Sequence, residues 1–310
     1  MNLREVRDRI ASVKSTQKIT SAMKLVSSAK LRRAQATIEG MLPYSNRLNA
    51  LLISFLQGTT TVSSPFSAVR ECRKVVVIAV SSNTGLCGTF NANIANKLRD
   101  VVRSHEANGA QIEIYTVGKK IFDAAKKLGY TPREELMAQA AAPQYDDVAK
   151  AVRALMERFT AGDVDRVEVV HPHFKSAAKQ EPVCDVLMPI DLSAVNGESA
   201  QHVTDFIVEP SREELLSALV PKVIEVRLFA ALLDSVAAEH AARVLAMQVA
   251  TDNANDLISE LTLEYNSLSN TTKAASRPLQ TNCLTSCPAQ VRTDNLFLDI
   301  RTKEHKELPL

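Results

Sequence analysis

Cys283 and Cys287, in the stretch TNCLTSCPAQV, are the first residues of this 310-residue chain whose type and spacing could do chemistry. Such a pair could ligate a metal or cycle as a disulfide. No further ligand accompanies it, and the stretch has neither helical nor strand periodicity. A second candidate is GLCGTF, Gly85 to Phe90, which follows a buried-strand run and precedes a helix, where phosphate-binding loops occur. It lacks the G-x-x-x-x-G-K-[ST] pattern, and no Lys or Arg falls between Asn83 and Asn91. The third glycine of a dinucleotide turn is missing too, and no acidic residue ends the next strand. A tight turn with a surface role is the better reading. Cys87 within it has no adjacent base to make it a nucleophile. His171 and His173, in HPHF, alternate along a strand and could face one side, but no third metal ligand is evident. His240 beside Glu239 lies mid-helix without H-E-x-x-H spacing and reads as a surface or seam residue. Acid–base, triad and metal patterns all come back empty. The chain is expected to catalyse nothing by itself and to hold no cofactor.

Composition narrows the class. Apolar content of 45% and charged content of 23% are those of a soluble globular protein, and the length allows one large or two ordinary domains. Net charge is +2, so global charge names no partner. Five cysteines in no framework spacing suit a reducing compartment. The opening MNLREVRDRI is charged from Arg4 onward, unlike a secretory signal, and too acidic for a transit peptide. The apolar runs, such as VVVIAV, are far too short to span a bilayer, so any membrane association is expected to come through a partner.

The elements that must position these residues are marked by breakers. All nine glycines, and nine of the twelve prolines, fall between Gly40 and Pro221. Two breaker-free flanks, Met1–Glu39 and Lys222–Arg277, are rich in helix formers and read as long helices. In the first, Leu3, Val6, Ile10 and Val13 recur at alternating steps of three and four, a coiled-coil seam. After Val13 the same steps land on Gln17, Thr20, Lys24 and Ser27, while Ile19, Met23 and Val26 hold a shifted apolar stripe. The second flank carries its own stripe through Val226, Phe229, Leu233, Ala237, Ala241, Val244 and Met247. The first flank holds nine basic against three acidic residues, and Lys222–Asn266 three against seven. Complementary charge and a domain inserted between them predict an antiparallel pair. The basic helix has no aromatic before Tyr44 and interleaves acids, so a protein surface suits it better than nucleic acid. The middle alternates strand and helix, with strands at KVVVIAVSS, QIEIYTVG, VDRVEVVHPHF, VCDVLMPI and HVTDFIVEP. That pattern predicts a mostly parallel sheet with room for an antiparallel edge.

Three stretches then resemble one family. IASVKSTQKITSAMKLVSSAKLRRAQ (Ile10 to Gln35), GLCGTFN and AAEHAARVLAMQVATDNANDLISELTLEYN (Ala237 to Asn266) look like the γ subunit of rotary F-type ATP synthases. The resemblance is collinear to about residue 266. It implies an α/β fold with a long antiparallel coiled coil of N- and C-terminal helices flanking a Rossmann-like domain. The expected domains are a shaft helix over 1–57, a foot over 70–210, a second shaft helix over 211–266 and an atypical tail over 267–310. The implied role is a non-catalytic rotor, with a shaft inside the ring of α and β subunits and a foot on the ε subunit and the membrane c-ring. That places it peripherally on the cytoplasmic face of a bacterial inner membrane. Carried over by position, Thr16, Lys18, Thr20 and Met23, the turn at Cys87, and Asn253 and Asp256 would contact the catalytic ring. The competing reading is a cytosolic nucleotide-binding α/β enzyme with a coiled-coil arm.

The tail departs from that family, whose last helix ends in a motif like I-T-x-E-x-x-[DE]-x-x-x-G-A. Here the chain runs into SLSNTTKAASRPLQTNCLTSC, and Pro278 blocks a helix. Joining the third base of each codon to the first two of the next recovers the motif. From Asn270–Thr271 to Ser286–Cys287 every junction permits the next letter of YNKSRKQAITNELLDIV, and the following three permit Ser or Pro, Gly and Ala. Residues from about Ser267 to Leu310 therefore read as out of frame. A short tandem repeat of LTLEYN is the expected switch, since the junctions from Asn266–Ser267 permit it a second time. On this reading Cys283 and Cys287 are neither ligands nor a redox pair.

Overall fold

The strand KVVVIAV, β1 (Lys74–Val80), is apolar at every position after Lys74 because the fold covers both of its faces. Alternate residues point to opposite sides. Val76, Ile78 and Val80 enter one core with the helices α4 (Tyr145–Thr160) and α5 (Arg212–Ala275). Val75, Val77 and Ala79 enter a second core with α2 (Phe90–Ala107) and α3 (Lys119–Lys127). The remaining elements are α1 (Leu3–Gln57), β2 (Gln111–Val117), β3 (Arg166–Phe174) and β4 (Gln180–Met188). This computed structural model describes residues 2–57, 65–190 and 211–275.

The sheet order is β2-β1-β3-β4. β1 pairs in parallel with β2 and β3, and β4 runs antiparallel to β3 along the edge. The expected mostly parallel sheet with an antiparallel edge is thus present. The expected strand at His202–Pro210 lies outside the described residues, as does the CLTSC stretch. Residues 1–265 make one compact unit. Beyond it, α5 continues to Ala275.

The two long helices are antiparallel. Gln17 donates to Asn255 across 2.9 Å, and the Thr20 and Thr251 hydroxyls are 2.9 Å apart. Three residues forward on α1 are four residues back on α5. Charge complementarity predicted the pairing, but it is not what joins the helices: among the described residues no ion pair links α1 to α5. The contact is a packed seam at steps of three and four, with Val6, Thr20, Ser27, Ala34 and Leu48 buried on α1. Ala237, Ala241, Met247, Ala254 and Leu261 are buried on α5. No helix among the described residues is long and apolar enough to cross a membrane.

Breakers did not bound the helices as the sequence suggested. α1 passes through Gly40 and Pro43, and α5 starts before Pro221 and contains it. Pro43 cannot donate to the Glu39 carbonyl, but both residues are exposed, so water can take the freed acceptor. Gly118, which opens α3 after β2, is different. Its φ is +101°, and a Cβ there would sit 2.3 Å from the Ser81 carbonyl oxygen. Only glycine fits a positive φ and so close a backbone.

Candidate functional site

Between Gln17 and Ser27 the first shaft helix is patterned inside out. The steps that face α5 carry Gln17, Thr20, Lys24 and Ser27. Ile19, Leu25 and Val26 instead point outward, 58%, 70% and 58% exposed. At the same level of the antiparallel pair, Leu245 and Val249 on α5 are also exposed. A helix in water normally buries such residues. Here the inner seam spends its hydrogen-bonding groups on Gln17–Asn255 and Thr20–Thr251, leaving an apolar band on the outside. Exposed apolar bands on otherwise polar surfaces mark contact with another protein.

Of the residues singled out by position, Thr16, Lys18, Asn253 and Asp256 are exposed, and Met23 is half-buried. Lys18 and Asn253 lie at one level of the helix pair, next to the exposed band. Two of the expected contact residues are buried in the chain. Thr20 is 9% exposed and faces the seam, where its hydroxyl meets that of Thr251. Cys87 is 2% exposed, with its sulfur accepting from Asn91 Nδ2 at 3.1 Å and packed in the second core. Both side chains are largely closed to solvent in this chain. What the turn offers instead is Leu86, 62% exposed and held at φ 63°.

Among the described residues, one side chain of the shaft hydrogen-bonds the turn. Arg243, 8% exposed, donates from Nη2 to Thr84 Oγ1 at 2.9 Å and to the Gly85 carbonyl at 3.4 Å. The same guanidinium pairs with the buried Glu239 at 2.8 Å. His240 completes the cluster at 9% exposure, so it is a seam residue and not a surface one. Burial, then the charges of Arg243 and Lys30, push its pKa down to about 4. Burial pushes the Glu239 carboxyl up, against the opposing pull of Arg243 and Lys30. Sequence reading missed Arg243 because the partner that defines it, the 84–85 turn, lies far away in the chain. Its position among Ala241, Ala242, Val244 and Leu245 was the available signal, a lone cation on an apolar stretch.

His171 and His173 do face one side, and each holds a carboxylate. His171 Nε2 lies 2.9 Å from Asp185, and His173 Nδ1 lies 2.6 Å from Asp234 on α5. Among the described residues no three His, Cys, Asp or Glu side chains are grouped as a metal site.

A family model described as ATP synthase matches residues 2–269. The chain is 49% identical over 268 residues to an ATP synthase gamma chain of Bacteroides fragilis, covering 86% of this chain and 92% of that one. It is 40% identical over 269 residues to the gamma chain of Flavobacterium psychrophilum, covering 86% and 91%. Its fold is similar to the rotor of the Euglena gracilis mitochondrial ATP synthase, at a TM-score of 0.55 and 19% identity over 87% of this chain and 98% of that one. It is also similar to the central stalk and c-ring structure of the Tetrahymena thermophila mitochondrial ATP synthase, at a TM-score of 0.51 and 22% identity over 75% and 99%. By matched length and identity, the chain belongs to the ATP synthase gamma-chain family.

Proposed function

We propose that this chain is the non-catalytic central-stalk rotor subunit of an F-type ATP synthase, coupling ion flow through the membrane sector to ATP synthesis or hydrolysis in a ring of α and β subunits. One observation carries the reading beyond kinship: between Gln17 and Ser27 the shaft keeps polar groups inside and apolar side chains outside. A coiled coil that only had to hold itself together would do the reverse. A rotor shaft must instead slide within a sleeve of other subunits, and an outward band of Ile19, Leu25, Val26, Leu245 and Val249 suits that contact. Thr16, Lys18, Met23, Asn253 and Asp256 border it and form its polar margin, with Leu86 in place of Cys87 as the foot's contact. The ε subunit and the c-ring are the proposed partners of the foot. Through them the chain would sit peripherally on the cytoplasmic face of the bacterial inner membrane. The alternative of a nucleotide-binding enzyme with a coiled-coil arm is not favoured. The turn around GLCGTF spends the Gly85 carbonyl and the preceding Thr84 hydroxyl on Arg243, and no Lys or Arg falls between Asn83 and Asn91 to meet a phosphate.

Co-expression with α and β subunits from a related bacterium tests this. The expected result is a purified complex with ATPase activity absent from this chain alone. Ile19→Glu with Val26→Glu should leave the chain's own stability within about 0.5 kcal/mol, as exposed substitutions do, and weaken complex formation. Failure to co-purify by the unsubstituted chain, or nucleotide binding by the chain alone, would refute the reading.

The out-of-frame reading of the tail also stands as a proposal, supported by the family match ending at residue 269. Sequencing the gene across codons 255–310 decides it. An in-frame QAITNELLDIV is the expected result. If the tail is read as printed, the reading fails, and complexes built with this chain should couple poorly.

A further inference from the structure

A cavity of about 790 Å³ opens where the shaft meets the β3–β4 side of the sheet. That is within the usual range of small-molecule sites. Its walls are apolar, with Ile38 and Leu42 from α1, Val186 and Leu187 from β4, and Ala231 from α5. Four charged side chains also line it: Glu39, Asp185, Arg227 and Asp234. Two of these are already engaged. Asp185 pairs with His171, and Asp234 takes both the His173 ring and the Phe174 backbone N–H, the latter at 3.2 Å.

Arg227 is the exception. Among the described residues its guanidinium makes no hydrogen bond or ion pair. Burial pushes its pKa down, and only the more distant charge of Asp185 opposes that. A partly buried guanidinium in an apolar wall is costly unless an anion joins it. It also presents a planar fork suited to a carboxylate. His171 also lines the cavity, and its ring Nδ1 is buried without a hydrogen-bond partner. Glu39, exposed at the mouth, repels multiply charged anions, which argues against phosphates and nucleotides.

We propose that this cavity binds a small monocarboxylate with an apolar body, its carboxylate on Arg227 and its tail against Ile38, Leu42, Val186 and Ala231. The proposal does not depend on the rotor reading. It asks only for the geometry of the foot and the adjoining shaft.

Octanoate titrated into the purified full chain and followed by calorimetry is the test. The expected result is saturable binding to one site. Arg227→Gln should weaken it at least tenfold while the thermal midpoint stays level or rises, because the variant removes an unpaired charge. Ala231→Phe, which keeps the guanidinium and fills the cavity, should weaken it as well. Octanol, with the same tail and no charge, should bind at least tenfold more weakly than octanoate. Absent or unsaturable binding of octanoate would overturn the proposal. So would equal affinity in a folded Arg227→Gln chain, or octanol binding as tightly as octanoate.

Discussion

Arg243→Met is expected to destabilise the chain by about 3–5 kcal/mol, the usual loss when one partner of a buried ion pair is removed. Methionine keeps the apolar stem and loses the guanidinium. Glu239, 9% exposed on α5, would then hold its charge without its ion-pair partner, opposed only by the charge of Lys30. The Thr84 hydroxyl and Gly85 carbonyl would lose their donor as well. Protonation offers Glu239 a way out, since burial already pushes its pKa up with Arg243 in place. The penalty should therefore shrink toward acid pH. Adding Glu239→Gln to Arg243→Met should restore most of the loss, because a neutral amide needs no counter-charge. Denaturant midpoints of the two single variants and the double variant measure this directly. A loss below about 1 kcal/mol for Arg243→Met would mean that the cluster is wetter than its burial implies. Amide exchange at Thr84 to Leu86 supplies the functional readout. It should rise in Arg243→Met, since that side chain supplies the turn's hydrogen bonds to the shaft.

How much of this was readable from the chain differs by element, and the reason is locality. β1 announces itself because a strand covered on both faces must be apolar at consecutive positions, and VVVIAV is. The sheet's parallel character follows from strand and helix alternating, which is again a local pattern. The antiparallel shaft was also legible, but for the wrong reason. Opposite charge on the two flanks suggested pairing, whereas the contact is made by Gln17, Thr20, Asn255, Thr251 and a run of alanines. The charged residues mostly face water. Residues 17–27 gave the clearest clue and the easiest error. The seam spacing from Leu3 to Val13 continues unbroken onto polar residues, and the structure follows the spacing, not the polarity. A hydrophobic reading would have rotated the helix to bury Ile19 and Val26, hiding the band that makes the site. Backbone geometry and the small buried partners on α5 overrode it. Position alone nominated Thr20 and Cys87 as contacts. Thr20 is covered by Thr251, and Cys87 shares a core with Ala238 and Ala242, partners more than a hundred positions away that no local pattern reveals. Arg243 escaped for the same reason.

Lowering the pH from 7 should destabilise the chain through His240, by on the order of 3 kcal/mol once pH 4 is reached. In the folded chain burial comes first, followed by the charges of Arg243 and Lys30, in pushing this histidine from an ordinary 6.5 down to about 4. Arg243 Nη1 also lies 3.5 Å from Nδ1 of His240, a geometry that suits the neutral ring as acceptor. Between these two pKa values the unfolded chain binds a proton that the folded chain refuses. Stability is then complete above 6.5, is lost as pH falls, and levels off below the folded value. The shift of about 2.5 units sets the size, at about 1.4 kcal/mol per unit. Glu239 works against it. Its raised pKa lets the folded chain take up a proton first, which favours folding as the pH falls. The two faces of the cluster, Lys30 on α1 and the 84–85 turn, contribute one fixed positive charge and no titrating group. Comparing the chain with His240→Gln removes the Glu239 contribution from the difference. The thermal midpoints should be close at pH 7 and should separate in favour of His240→Gln as the pH falls through 6 to 4. Parallel curves for the two proteins would show that His240 is protonated inside the fold, and that the shaft–foot junction admits water.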